Sequence, residues 1–496
     1  MLFAGAIQML SPGSYPLMLV ANALLYAAAC YAFFLIARLA FPGAVHDVGR
    51  GLLCTAFALH PAVLASVVQP SIDLPLLPAF LWGVVFVLRG QGAWLIAVGL
   101  AMVFTKETGV VLYAALVATH ALLTLFGPGG PARNLRATLK AVVPLGIPLV
   151  VFAGYLAYRA TIPQATVVWA AGTTQESIAK RFIVPRFDRA LASFLAMMSV
   201  LNFAWIATGV VGVDALVGVR RLVARHRSRA LEGANGNAVL FLVVLGVITA
   251  YGLTRFTTYA NTRYVLAAVA LLPLVMYASL VRLGVGAAGR AIVTGALAAG
   301  FAMSTVVTAD PVSRALYGTF ALGDRTLLRL TRITHECCGA GRDQLVYNLQ
   351  FTKLADLMSD AMVAVRADDS TTVFVPLDMR WETLGNLDST TRRRTLRRDH
   401  TVWPPLLEPN SLATQQTPSR AVFLALPNGD VPQAISSLSA HYVVGPAQRV
   451  SRGAYWLEVY PLTLRGASLQ SAETATRLRA PLTTTHERSS PSTPGG

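Results

Sequence analysis

The chain has 496 residues, of which 54% are hydrophobic and only 13% charged, with a mean hydropathy of +0.55. These values exclude an ordinary soluble enzyme and indicate a polytopic membrane protein. The net charge of +17 does not point to nucleic acid: the basic residues fall mostly between apolar runs, where they orient helices against anionic lipid, and no aromatic base-reading motif accompanies them.

A bilayer-crossing helix needs about 20 mainly apolar residues. On that rule the spacing predicts about ten spans, near 15–41, 50–70, 72–88, 92–105, 108–126, 140–158, 190–214, 236–254, 263–282 and 290–307. The third and fourth are short, and a re-entrant hairpin would serve there without changing the orientation of the later spans. One set of connections carries Arg38, Arg50, Arg89, Arg133, Arg136, Lys140, Arg220, Arg221, Arg225, Arg227, Arg229, Arg282 and Arg290. This consistently basic side is expected to be cytoplasmic. The other set holds Asp73, Lys106-Glu107, the loop 159–189, the loop from Arg255 to Arg263 and everything after 307, all expected outside. An even number of spans also puts Met1 outside, in a chain whose N-terminus lacks the basic segment and cleavage site of a secretory signal.

Gly127-Pro128-Gly129-Gly130-Pro131 marks a cytoplasmic loop. Loop 159–189, with Gln175-Glu176, Lys180-Arg181 and Arg186, suits a partly helical segment on the outer surface. Cys30 and Cys54 lie inside apolar spans and Cys337-Cys338 are adjacent, so no disulfide framework is indicated. His335-Glu336-Cys337-Cys338 has no second ligand cluster at zinc-site spacing and reads as a loop.

Near Asp310 the composition turns soluble. Leu345 to Val365 has helical spacing, while Thr371–Pro376, Ala421–Leu426, His441–Val444 and Ala454–Val459 read as short strands. The expected architecture is a mainly α membrane bundle over 1–307, a small extracytoplasmic α/β domain over 308–465, and a disordered tail rich in Ser, Thr and Pro over 466–496.

The candidate chemistry sits on the outer side. Seven acidic residues occur between 1 and 307: Asp47, Asp73, Glu107, Glu176, Asp188, Asp214 and Glu232. Only Asp73, Glu107, Glu176 and Asp188 fall on the expected outer face, which narrows the search for a base. Asp73, after Pro70-Ser71 and before Leu74-Pro75, is also how a helix N-cap with an early proline is written. Lys106 can snorkel at a helix end, and Glu107 points about 100° away from it on a helix, so the two are not expected to pair. Arg255 and Arg263 break the positive-inside bias if outside. Tyr264 reads as an interface aromatic, and His60 as a core residue beside Pro61.

His60-Pro61, Ser71-Ile72-Asp73-Leu74-Pro75, Thr105-Lys106-Glu107 and, much later, Asn261-Thr262-Arg263-Tyr264 occur in an order that resembles the GT-C glycosyltransferases. In particular the chain resembles the protein O-mannosyltransferase and lipid A aminoarabinose transferase branch. The matching blocks run from about 15 to 115 and from about 255 to 275, near a quarter of the chain. The resemblance implies an integral membrane enzyme of the cell or inner membrane. Its donor would be a polyprenyl-phosphate sugar and its acceptor a hydroxyl on protein, lipid or glycan, reached on the outer face and with inversion.

Asp73, Lys106 and Glu107 would then form the catalytic group, and Arg255, Asn261, Arg263 and Tyr264 the donor-binding group. Membrane lipids are the remaining partner. Polyprenyl-monophosphate donors do not inherently require a metal in this family, and none is assigned. In the family a first helix and a first outer loop, which bears the principal catalytic acid, precede the segment that starts here at about Gly5. The expectation is that both are missing from this sequence, through a misplaced start, truncation or loss of catalysis. The rival readings are a catalytically inactive relative and a transporter or membrane scaffold.

Overall fold

A backbone in lipid must satisfy its own polar groups, so apolar runs of this length fold as helices. The computed structural model describes residues 15–68, 73–126, 135–161, 201–223, 234–256, 266–304, 310, 312–313, 319–322, 325–329, 357, 360–361, 371–374, 406–407, 418–425, 431–452 and 455–465. The helices among them are α1 (Tyr15–Ala40), α2 (Asp47–Ala58), α3 (Pro61–Val67), α4 (Leu76–Leu88), α5 (Gly92–Thr105), α6 (Glu107–Phe126), α7 (Leu135–Val142), α8 (Ile147–Ala160), α9 (Ala204–Val223), α10 (Gly236–Phe256), α11 (Leu266–Arg282) and α12 (Ala287–Met303). The chain is mainly helical, with a small sheet region toward its C-terminus. Two compact units divide it, residues 1–352 and 353–496.

Among the described residues, three stretches, Leu17–Ala40, Thr108–Leu125 and Leu139–Tyr158, are long and apolar enough to cross a bilayer. A fourth results if Ala44–Ala58 and α3, which meet at a 48° bend, count as one. The unbroken span expected over 50–70 is therefore two helices. Pro61 occupies the first turn of α3 and has no N–H to continue the ladder of α2. Leu24, Val150, Leu216 and Ile292 remain exposed on helix surfaces, the pattern of side chains that meet lipid. At 13 and 14 residues, α4 and α5 are each about 20 Å long, short of a bilayer core. Gly90, with φ of 68°, turns between them; its N–H reaches Val87 O (3.1 Å) and that of Gln91 reaches Phe86 O (2.8 Å). That bond pair closes a helix around a left-handed glycine.

Long-range contacts sort the helix ends into two groups. The N–H of Asn235, before α10, donates to Ala40 O at 2.8 Å; His46 Nδ1 and the Tyr277 hydroxyl are 3.1 Å apart; Arg282 Nε and Asp214 Oδ2 are 3.5 Å apart. The ends of α1 and α11 and the starts of α2, α10 and α12 thus share one end, which carries Arg38, Arg50, Arg282 and Arg290. At the opposite end α3, α5, α10 and α12 finish while α4, α6, α9 and α11 begin. Between the two ends the core is apolar, with Phe33 stacked on Phe57 at 4.2 Å and Phe80, Leu81 and Leu116 buried around it.

Residues 190–200 of the span expected over 190–214 lie outside the described residues; beyond them a helix runs from Ala204 to Val223. Its start is pinned by Phe203, at φ of 61°, which lies over Gly300 of α12, and by Asp310 beyond the end of α12. The buried Asp310 carboxylate accepts the backbone N–H groups of Phe203 (2.8 Å), Val312 (3.1 Å) and Ser313 (2.9 Å) and the indole N–H of Trp205 (3.2 Å). Burial pushes its pKa up, but the hydrogen bonds from Ser313, Phe203 and Trp205 outweigh burial and hold it below the ordinary value of 3.8. A carboxyl depressed on folding stabilises the fold above its unfolded pKa and loses that contribution as pH falls through the folded one. Asp310→Asn should cost about 1–3 kcal/mol at neutral pH. The gap between variant and wild type should close as thermal melts are taken progressively below the ordinary carboxyl range.

Strands β1 (Thr319–Leu322) and β2 (Arg325–Arg329) pair antiparallel within the first unit. The second unit contains β3 (Thr372–Phe374), β4 (Leu406–Leu407), β5 (Arg420–Ala425), α13 (Val431–Ser439), β6 (Tyr442–Val444), β7 (Gln448–Arg452) and β8 (Tyr455–Leu464). Its sheet has the order β4-β3-β5-β8-β6, with β7 also beside β8. The β4-β3-β5 pairs are parallel and those with β8 antiparallel. α13 covers one face through Ala434 and Leu438, against Phe374, Phe423 and Tyr442. All four expected strand regions are present. The expectations for most of 159–189 and 345–365, for Cys337-Cys338 and for the tail 466–496 lie outside the described residues.

Candidate active site

The site forms where three helix ends meet away from the arginines. α5 runs to Thr105, whose hydroxyl donates back to Ala101 O at 2.6 Å. Lys106 then adopts extended backbone, φ −162° and ψ 158°, and breaks the helix. The chain re-enters α6 at once, with the Gly109 N–H on Lys106 O at 2.9 Å. This corner is held close by Gly109: a Cβ there would lie 2.0 Å from Met102 O in α5 and 3.0 Å from Leu76 Cδ2 in α4. The glycine therefore lets the last turn of α5, the first turn of α6 and the first residue of α4 come together.

Asp73 stands three residues before Leu76, in a turn whose Asp73 O accepts the Leu76 N–H at 3.2 Å. The close packing of Leu76 against the Lys106 corner brings Asp73 Oδ1 and Lys106 Nζ into an ion pair. Both side chains are removed from water, at 4% and 11% exposure. The N-cap position of α4 is Pro75, with no side-chain cap, so the Asp73 carboxylate is engaged with Lys106 at a position where the sequence also allowed plain capping.

The remaining site residues are placed by backbone. Glu107 is the first residue of α6. Arg255 is in the last turn of α10, which packs on the start of α6: a Cβ at Gly252 would stand 2.9 Å from Val111 Cγ1. The structure thus sets Arg255 at the same end as the ion pair. Asn261, Arg263 and Tyr264 lie outside the described residues, on the connection from α10 to α11. Two residues before Lys106, Phe104 lies edge-on to Phe152 (6.0 Å) and Tyr155 (5.5 Å) of α8.

His60 sits at the α2–α3 bend with no exposure, its ring 4.8 Å from that of Phe301 and both nitrogens without a hydrogen-bond partner. That is the core placement the sequence indicated. Among the described residues, no three His, Cys, Asp or Glu side chains converge as metal ligands do.

Sequence reasoning put Asp73 and Lys106 at one membrane surface without pairing them, and gave Gly109 no role of its own. The signal for the glycine was its place three residues after a lysine that ends one apolar helix and opens another. The pairing is chemically specific. A buried carboxylate fixes an ammonium in place, and an ammonium with up to three donors can hold that carboxylate and an incoming oxyanion together. No family model, curated protein or solved structure matches this chain.

Proposed function

We propose that this protein is a membrane glycosyltransferase of the GT-C type, transferring a sugar from a polyprenyl-phosphate carrier to a hydroxyl on protein, lipid or glycan at the outer face of the membrane. The observation that carries this reading is the Asp73–Lys106 pair, two ionisable side chains buried together at the end of the bundle opposite Arg38, Arg50, Arg282 and Arg290. Ionisable groups in such a setting are costly and generally have a task. The general bias of Lys and Arg toward the cytoplasm supports an orientation with the arginine end inside and the pair outside.

In the reaction the acceptor oxygen bonds to the anomeric carbon as the bond from that carbon to the carrier phosphate oxygen breaks. The hydroxyl proton passes to a carboxylate base, and the polyprenyl phosphate leaves. Lys106 and Arg263 hold the departing phosphate through charge-assisted hydrogen bonds. Asp73 keeps the Lys106 ammonium where the phosphate arrives and helps position the acceptor. Arg255, Asn261 and Tyr264 complete the donor side, with Glu107 in support.

A deletion strain should accumulate a lipid-linked sugar detectable by mass spectrometry, and the wild-type gene should clear it. Lys106→Ala and Arg263→Ala should each fail to clear it while still fractionating with membranes. Normal clearance by both variants would overturn the reading.

A transporter is the second reading, and one observation favours it. The α2–α3 span is bent by 48° with His60 buried at the break, and broken helices with polar groups near mid-membrane are a transporter feature. His60→Ala should leave sugar clearance intact under the first reading and impair solute uptake under the second.

A further inference from the structure

The arginine end holds a second ionisable cluster that glycosyl transfer does not use. α11 closes around Gly284, at φ of 75°, with the N–H of Gly284 on Val281 O (3.0 Å) and that of Val285 on Leu280 O (3.1 Å). Gly286 comes next as the N-cap of α12 in extended conformation and has no side chain with which to cap. The first-turn amides of a 17-residue helix therefore open onto an exposed surface at 286–288. Such an end carries partial positive charge and outward-facing N–H donors.

Arg290 sits one turn in, and its side chain runs back to that same end, where Nη1 donates to Val285 O at 3.0 Å. The residue is only 2% exposed, and its Nε and Nη2 have no hydrogen-bond partner. The Tyr277 hydroxyl, 3.1 Å from His46 Nδ1, also interacts with the Arg290 guanidinium as a neutral hydrogen-bonding group and feels the charge of Arg50. Arg50 Nη1 donates to Phe41 O at 2.6 Å, and Nη2 pairs with Asp47. The nearby carboxylates are committed elsewhere, Asp47 to Arg50 and Asp214 to Arg282. Among the described residues, Arg290 has no counter-charge.

A guanidinium this deeply buried without an anion is strongly unfavourable, whereas a phosphate matches both its planar donors and the open amides of a helix N-terminus. We propose that the N-terminus of α12 and the Arg290 guanidinium form a binding site for a phosphate group at the arginine end of the bundle. The phosphate ester of an anionic lipid headgroup and free inorganic phosphate share the required chemistry.

The test uses the full chain, with thermal unfolding measured in two arms. Nanodiscs of phosphatidylglycerol are compared with nanodiscs of phosphatidylcholine, and detergent samples are titrated with inorganic phosphate at constant ionic strength. The wild-type midpoint should rise with phosphatidylglycerol if a headgroup is bound and with inorganic phosphate if the free ion is bound. Arg290→Gln should weaken the responding ligand about tenfold or more, the equivalent of losing a charge-assisted hydrogen bond.

Gly286→Asp is the second variant, and it keeps the proposal testable should Arg290→Gln fail to fold. Its carboxylate would cap the α12 amides and neutralise Arg290 from within, raising the ligand-free midpoint and removing the response to either ligand. A wild-type midpoint indifferent to both ligands would overturn the site, as would a response undiminished in Gly286→Asp.

Discussion

Asp73→Asn and Lys106→Met, made singly, are each expected to destabilise the helical unit by about 3–5 kcal/mol, and the double variant by much less. Each single change leaves one charge buried without its partner. The double change replaces the pair with neutral side chains of similar size and leaves no charge uncompensated. The comparison also separates structure from chemistry. If the pair only holds α4 to the α5–α6 corner, the double variant recovers stability and transfer together. If Lys106 meets the carrier phosphate, the double variant regains stability but stays inactive. Unfolding in detergent gives the first quantity, and clearance of the accumulated lipid-linked sugar gives the second.

Gly109→Ala should be nearly as damaging, by about 3 kcal/mol, though it adds one methyl group. The Cβ would fall 2.0 Å from the Met102 carbonyl oxygen, and that neighbour is backbone, with no rotamer into which to retreat. The α5–α6 corner must open, and the opening carries Lys106 away from Asp73. Lost transfer in a folded Gly109→Ala protein would therefore mirror that of the single charge variants. Gly146, where a Cβ meets nothing within 4 Å, gives the control: Gly146→Ala should be close to neutral. Equal melting of Gly109→Ala and wild type would show that the corner does not depend on this close approach.

Those two positions show which parts of the molecule were legible in its sequence. Apolar runs of helical length located α1, α5, α6 and α10 almost to the residue, because lipid or core packing imposes one length and one conformation on them. Where a local breaker competes with hydropathy, the reading slipped. Pro61 splits 50–70 into α2 and α3. The start of α9 was not legible because it is set from afar, by Asp310 more than a hundred residues on. β7 was missed because Gln448, Arg449, Ser451 and Arg452 leave Val450 as its one apolar residue; it pairs with β8 as a polar strand.

The candidate site divides in the same way. Scarcity of charge in the apolar segments, together with the resemblance, marked Asp73 and Lys106. Their contact depends on α4, α5 and α6 meeting at Gly109, which no local pattern encodes. The cluster of His46, Tyr277 and Arg290 joins residues as far as 244 positions apart in number and was not legible for the same reason. Residues whose role rests on the resemblance, Asn261, Arg263 and Tyr264, stand on the link between two helices that end and begin beside the ion pair.

The claim on which the rest depends is that the ion-pair end faces away from the cytoplasm and the arginine end faces into it. Thr161, exposed just past α8, marks the first, and Gln91, exposed in the α4–α5 turn, marks the second. With Cys30, Cys54, Cys337 and Cys338 replaced by Ser, Thr161→Cys and Gln91→Cys can be treated on intact cells with a membrane-impermeant maleimide. Thr161→Cys should label at once and Gln91→Cys only after permeabilisation, whereas the reverse order, or equal labelling of both from outside, would contradict the account.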